Sequence, residues 1–138
     1  MCVKKDIIVN IGKIGRIGFK KGYYLYVGSA KTNLAKRIER HKRRKKRIFW
    51  HIDYLRDKTE FYASIPILSS VPLECHIAAR LKGIADWTIH RFGSSDCSCE
   101  THLFGMHEDP LKSSAFIDSL LYYRIDRIEE LLKIREEG

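Results

Sequence analysis

Residues Gly22–Arg44 read GYYLYVGSAKTNLAKRIERHKRR, an aromatic strand that ends in Gly28-Ser29 and opens a helix that turns intensely basic. Tyr24, Tyr26, Arg37 and His41 fall close together along it. Two phenols, a guanidinium that can grip phosphate with a bidentate fork and an imidazole that titrates near neutrality suit phosphodiester chemistry. Thr32 or Asn33 can cap the helix, and Leu34 and Ile38 repeat at i and i+4 toward a core. Arg37 and His41, one turn apart, then lie at the edge of that buried stripe, where a cleft over a sheet would begin. Competing structural roles are a core-edge tyrosine for Tyr26 and a solvated basic face for His41.

Working outward, Ile7–Ile11 (IIVNI) and Tyr23–Gly28 (YYLYVG) are β-rich and are separated by GKIGRIGFKKG, which has room for a short strand. A hairpin or small antiparallel meander is expected. A second helical patch covers Ile48–Leu55, and Phe61–Leu68 reads as a strand that Pro66 confines to an edge. Ser69, Ser70 and Pro72 announce a helix with Leu73, Ile77, Leu81 and Ile84 as its apolar stripe. Glu74 borders that stripe near the helix N-terminus, which favours a carboxylate. Trp87–Phe92 reads as a short strand, Gly93–Cys99 as a turn-rich loop, and Ser113–Glu137 as an amphipathic helix. The fold class is therefore α+β, a small mixed or antiparallel sheet flanked by helices, over residues 1–109 with a helical extension over 110–138.

The 138-residue length suits one domain, and 44% hydrophobic with 31% charged residues excludes a disordered chain. The formal charge is +9, and nine of the twelve residues from Lys36 to Arg47 are Lys or Arg. That local density favours a polyanion, nucleic acid first, because each neutralised phosphate releases counterions. There is no run of membrane-spanning length and the N-terminus lacks the apolar core of a secretory signal, so a cytoplasmic protein without a membrane segment is expected. Cys2, Cys75, Cys97 and Cys99 form no dense framework, in keeping with a reducing compartment.

Tyr26-Val27-Gly28, followed by Arg37 eleven residues after the tyrosine and His41 four residues later, resembles the second half of the signature of the GIY-YIG nuclease superfamily. WHIDYL (Trp50–Leu55), LECHIAARL (Leu73–Leu81) and FGSSDCSCETHLF (Phe92–Phe104) extend the resemblance to a prokaryotic branch sometimes fused to an endonuclease III domain. The resemblance implies an endonuclease that hydrolyses phosphodiester bonds in DNA with one divalent ion, Mg²⁺ or Mn²⁺, in repair, recombination or foreign-DNA processing. It implies that Tyr26 helps activate water, that Arg37 stabilises phosphate charge, that His41 occupies a catalytic Tyr-or-His position and that Glu74 binds the metal. Substrate contacts are expected from Tyr24, Ser29, Arg40, Lys42, Arg43, Arg44, Lys45, Lys46, Arg47, His51 and Ser95. The chemistry is coherent on its own terms, since a hard cation takes one protein carboxylate plus water and phosphate oxygens.

The family's first tripeptide, Gly-x-Tyr on an earlier strand, has no counterpart ahead of the second one. Two readings stay open: a strand encoded upstream of Met1, or a noncatalytic nucleic-acid-binding module that has lost the first catalytic tyrosine. A third reading is a zinc site at Cys97, Cys99 and His102, for which no fourth ligand is evident.

Overall fold

A computed structural model describes residues 1–28, 34–43, 51–65, 67, 73–92 and 100–123, with the backbone alone at 34, 35 and 37. It is an α+β fold whose described elements run β1 (Cys2–Val3), β2 (Ile7–Ile11), β3 (Gly15–Phe19), β4 (Gly22–Tyr26), α1 (Leu34–Lys42), α2 (His51–Arg56), α3 (Glu74–Lys82), β5 (Trp87–Thr88), β6 (Leu103–Met106) and α4 (Ser114–Leu121). One antiparallel sheet has the order β1-β4-β6-β5; the second is the two-stranded ribbon β2-β3.

The expected meander is thus two sheets. Ile7–Ile11 pairs with Gly15–Phe19 rather than with the tyrosine-rich strand. Between them the chain reverses through a single turn of 3-10 helix at Gly12–Ile14, with φ of 46° at Gly12 and 94° at Gly15. Both angles lie where a Cβ is strained, which is why glycines bracket the turn.

The sheet separates two apolar clusters by simple alternation of side chains. Tyr24 and Leu103 face a core of Val9, Ile11, Phe19, Ile52, Leu55 and Phe92, filled by the ribbon and α2. Val27 and Phe104 face the other way, onto Ala78 and Leu81 of α3 and Phe116 of α4. Of the two interior strands, β4 and β6, it is β6 that is fully buried along its length. Its sequence LFGM carries no alternation because both faces are covered, so periodicity could not mark it as a strand.

Gly105 of β6 is required by close approach: a Cβ there would lie 2.0 Å from Cε2 and 2.3 Å from Nε1 of Trp87. The indole has little room to retreat, with the Tyr24 ring at 5.7 Å and the His107 ring at 4.8 Å. Gly105→Ala is expected to cost about 1–3 kcal/mol, the usual range for overpacking. Urea denaturation would register this as a lower midpoint at unchanged slope.

Two expected strands are shorter or missing. Residues 61–65 are irregular, because after Glu60 forms an isolated bridge to Cys2 no further strand residue of β1 is left to pair with. In Trp87–Phe92 only the first two residues form a strand; the Ile89 N–H still donates to the Leu103 carbonyl at 3.1 Å before the chain turns through Arg91 at φ 57°. Ser113 caps α4 by accepting from the Phe116 N–H at 3.3 Å. The expected caps Thr32 and Asn33, the start of the second helical patch at 48–50, Ser69 to Pro72 and the amphipathic sequence from 124 onward lie outside the described residues.

Candidate active site at one end of the sheet

Tyr26 is the last residue of β4, and its ring meets His41 of α1 edge-on with centroids 5.9 Å apart. Gly28 leaves space for that ring: a Cβ at position 28 would lie 3.0 Å from Cε1 of Tyr26. Immediately beyond the strand, the Val27 N–H donates to the His102 carbonyl at 2.9 Å, which carries the β4–β6 ladder one residue past Leu103. His102 is 2% exposed, and its Nδ1 lies 3.0 Å from Oε1 of Glu74 at the first position of α3. Alternation places Tyr26 on the α2 side of the sheet and His102 on the α3 side. The two pairs, Tyr26 with His41 and Glu74 with His102, therefore flank the same end of one ladder from opposite faces.

The basic helix is held there by α2. Arg40 grips Asp53 with both guanidinium nitrogens, Nη1 on Oδ1 and Nη2 on Oδ2, each at 2.8 Å, and the Asp53 side chain is entirely buried. Arg56, three residues on, donates to the carbonyls of His41 and Lys42 at 2.9 Å each and to Thr59 at 2.7 Å. Carbonyls in the last turn of a helix have no intrahelical partner, so a buried guanidinium there satisfies them and complements the helix dipole. His41 is thus fixed from behind through its own backbone.

The other sequence-expected residues divide by position. Tyr24 is 1% exposed, with its hydroxyl donating to the Lys20 carbonyl at 2.7 Å. Burial pushes its phenol pKa up. This corrects its place among the substrate contacts, since it presents almost no surface to a ligand. Arg40 has its fork committed to Asp53 rather than open to phosphate. Lys42 and Arg43 are exposed, Lys42 with Glu39 at 3.3 Å, and His51 packs edge-on against Phe92 at 5.9 Å. Of Arg37 only the backbone is described, one turn before His41 in α1. Ser29, Arg44, Lys45, Lys46, Arg47, Ser95, Cys97 and Cys99 lie outside the described residues.

Cys2 is free, whereas Cys75 is disulfide-bonded, a departure from the reduced set expected. The sequence pattern does not single out Asp53 and Arg56. Their signal is present, two charged residues at i and i+3 beside the apolar Ile52 and Leu55, but the same pattern marks many solvated helix edges.

Glu74 fits a hard divalent cation by its donor chemistry. The Glu74 side chain is 27% exposed, and the contact with His102 orients one of its oxygens. Carboxylates that ligate metals are commonly steadied by such a neighbour. Among the described residues there is no group of three or more His, Cys, Asp and Glu, so water and phosphate oxygens would complete the shell.

Fold and site define a small α+β domain that mounts a basic helix beside the end of an antiparallel sheet. The chain belongs to the family described as domain of unknown function DUF123, whose model matches residues 1–123, from β1 through α4. Comparison with curated proteins and with solved structures finds no match. Among the described residues no helix is long and apolar enough to cross a membrane.

Proposed function

We propose that this chain is a divalent-metal-dependent endonuclease of the GIY-YIG type that hydrolyses phosphodiester bonds in DNA, serving repair, recombination or foreign-DNA processing. The observation that carries the reading is the Val27 to His102 backbone bond, which sets the Tyr26–His41 pair and the Glu74–His102 pair at the same end of the ladder. In this reading Tyr26 orients the attacking water and helps to deprotonate it. His41 lies against that ring, placed to take or give a proton. Arg37, one turn earlier on the same helix, stabilises charge on the phosphate in the transition state. Glu74 holds Mg²⁺ or Mn²⁺, with His102 as a positioning residue behind it. The ion, when bound, supplies Lewis-acid polarisation of the phosphate.

The test is a Mg²⁺ and Mn²⁺ titration against branched, nicked and plain duplex DNA. Metal-dependent cutting that is lost in Arg37→Ala and Glu74→Ala supports the nuclease. Salt-sensitive binding without cutting by the unaltered chain sinks it in favour of a noncatalytic nucleic-acid-binding module.

Neutralising Lys45, Lys46 and Arg47 together is expected to reduce the slope of log affinity against log salt by about 0.9 for each phosphate that is no longer neutralised. Fluorescence anisotropy on duplex DNA at several salt concentrations measures that slope, and an unaltered slope would remove these residues from the interface.

A further inference from the structure

The stretch from Lys4 to Lys21 holds six cations (Lys4, Lys5, Lys13, Arg16, Lys20 and Lys21) against a single acid, Asp6. It is separate in sequence from the basic helix and folds as the β2–β3 ribbon with its flanks. All six cations are exposed. The ribbon's inner face, Val9, Ile11 and Phe19, is buried on Ile52 and Leu55. Its outer face carries Ile8 opposite Gly18 and Asn10 opposite Arg16, all exposed, with Ile8 at 66%. Lys4 reaches Glu60 at 3.1 Å in an exposed pair, a kind of contact that contributes little. Lys5, Lys13 and Arg16 make no ion pair among the described residues.

The geometry points to this ribbon as a second DNA contact that enters the major groove, with Asn10 and Arg16 toward base edges and Lys13 and Lys20 on flanking phosphates; the inference rests on the nucleic-acid reading above. A two-stranded antiparallel ribbon fits the groove of B-form DNA, about 12 Å wide, and does not fit the deep, narrow major groove of duplex RNA. Arg reads guanine and Asn reads adenine through bidentate hydrogen bonds, and the two residues here are direct cross-strand partners. The small centre at Gly18 and the apolar Ile8 let the face approach bases, and from Ile7 to Phe19 there is no acid to repel the backbone, Asp6 at the foot of β2 accepting from the Lys21 N–H at 2.7 Å. Both basic elements share one mount. Ile52 and Leu55 of α2 carry the ribbon, while Asp53 and Arg56 of the same helix hold α1. A single duplex could be gripped at two places.

The test measures binding of the full chain to short duplex DNA, single-stranded DNA and duplex RNA by fluorescence anisotropy across a salt series. Lys13→Ala/Arg16→Ala/Lys20→Ala is expected to weaken duplex DNA binding at least about tenfold, with a shallower salt slope. Gly18→Trp adds bulk without charge at a position where a Cβ meets nothing within 4 Å, so the fold accommodates it. It is expected to weaken duplex binding at least about tenfold and to leave single-strand binding unchanged. Circular dichroism checks that both variants fold. If the unaltered chain binds duplex DNA and both variants match it in affinity and slope, the ribbon is not in the groove although the nucleic-acid reading stands. Ribbon-dependent binding of duplex RNA as tight as that of DNA overturns the groove assignment. A chain that binds no nucleic acid at low salt overturns both readings.

Discussion

Replacing Asp53 with alanine is expected to cost about 3–5 kcal/mol, the range for breaking a buried ion pair from one side. The carboxylate is wholly buried and accepts both arms of the Arg40 fork. Its loss takes from a guanidinium only 18% exposed the carboxylate that accepts both of its arms. Against a total stability of about 5–15 kcal/mol for an ordinary domain, that is a large fraction. Thermal unfolding should show a midpoint lower by on the order of 10 °C or more. The sharper comparison is Arg40→Met/Asp53→Leu, which removes both charges and is expected to recover much of the loss, because the cost lies in keeping one charge out of water without the carboxylate opposite it rather than in the missing attraction. An Asp53→Ala protein that melts with the unaltered chain would sink the clamp. The consequence for function follows from position: Arg40 is the residue before His41, so a loosened α1 also displaces the imidazole from Tyr26.

Glu74→Gln is expected to lower DNA cleavage by about 100-fold or more while leaving DNA affinity in EDTA unchanged. The amide keeps the size of the side chain and can still meet Nδ1 of His102, so the fold is spared. What it loses is the anionic oxygen that a hard cation prefers. In the proposed mechanism Arg37 supplies a donor to developing charge, and Arg37→Ala is expected to lower the rate by roughly 10²–10³, the usual loss for one such donor. The two variants separate by their response to metal. Raising Mn²⁺ should partly restore a weakened metal site in Glu74→Gln and do nothing for Arg37→Ala. Full cleavage by Glu74→Gln at low metal would remove Glu74 from the site.

How far the sequence reached depended on whether the signal was local. The tyrosine-rich strand, the basic helix after it and the α3 stripe were legible because each is written in a short periodic run. The ribbon register was not, since Ile7–Ile11 could pair with either of two later segments, and the positive-φ glycines at 12 and 15 decided for the nearer one. Strand β6 escaped because burial on both faces erases alternation. Tyr24 and Arg40 read as surface contacts beside Tyr26 and Arg37, and only packing turned the first into core and the second into half of a buried pair.

The sequence by itself determined the α+β class, the concentration of positive charge and the spacing of Tyr26, Arg37 and His41. Those properties reside in neighbours along the chain, where residue type and helical period suffice. The tertiary structure alone decided that Glu74 stands on His102, that the ladder from Val27 to His102 sets this pair at the same end as Tyr26 on the opposite face, and that α2 carries both α1 and the ribbon. Each of these joins residues far apart in sequence. Their meeting is set by burial and by the need to satisfy charges and backbone groups taken out of water, which no local pattern records.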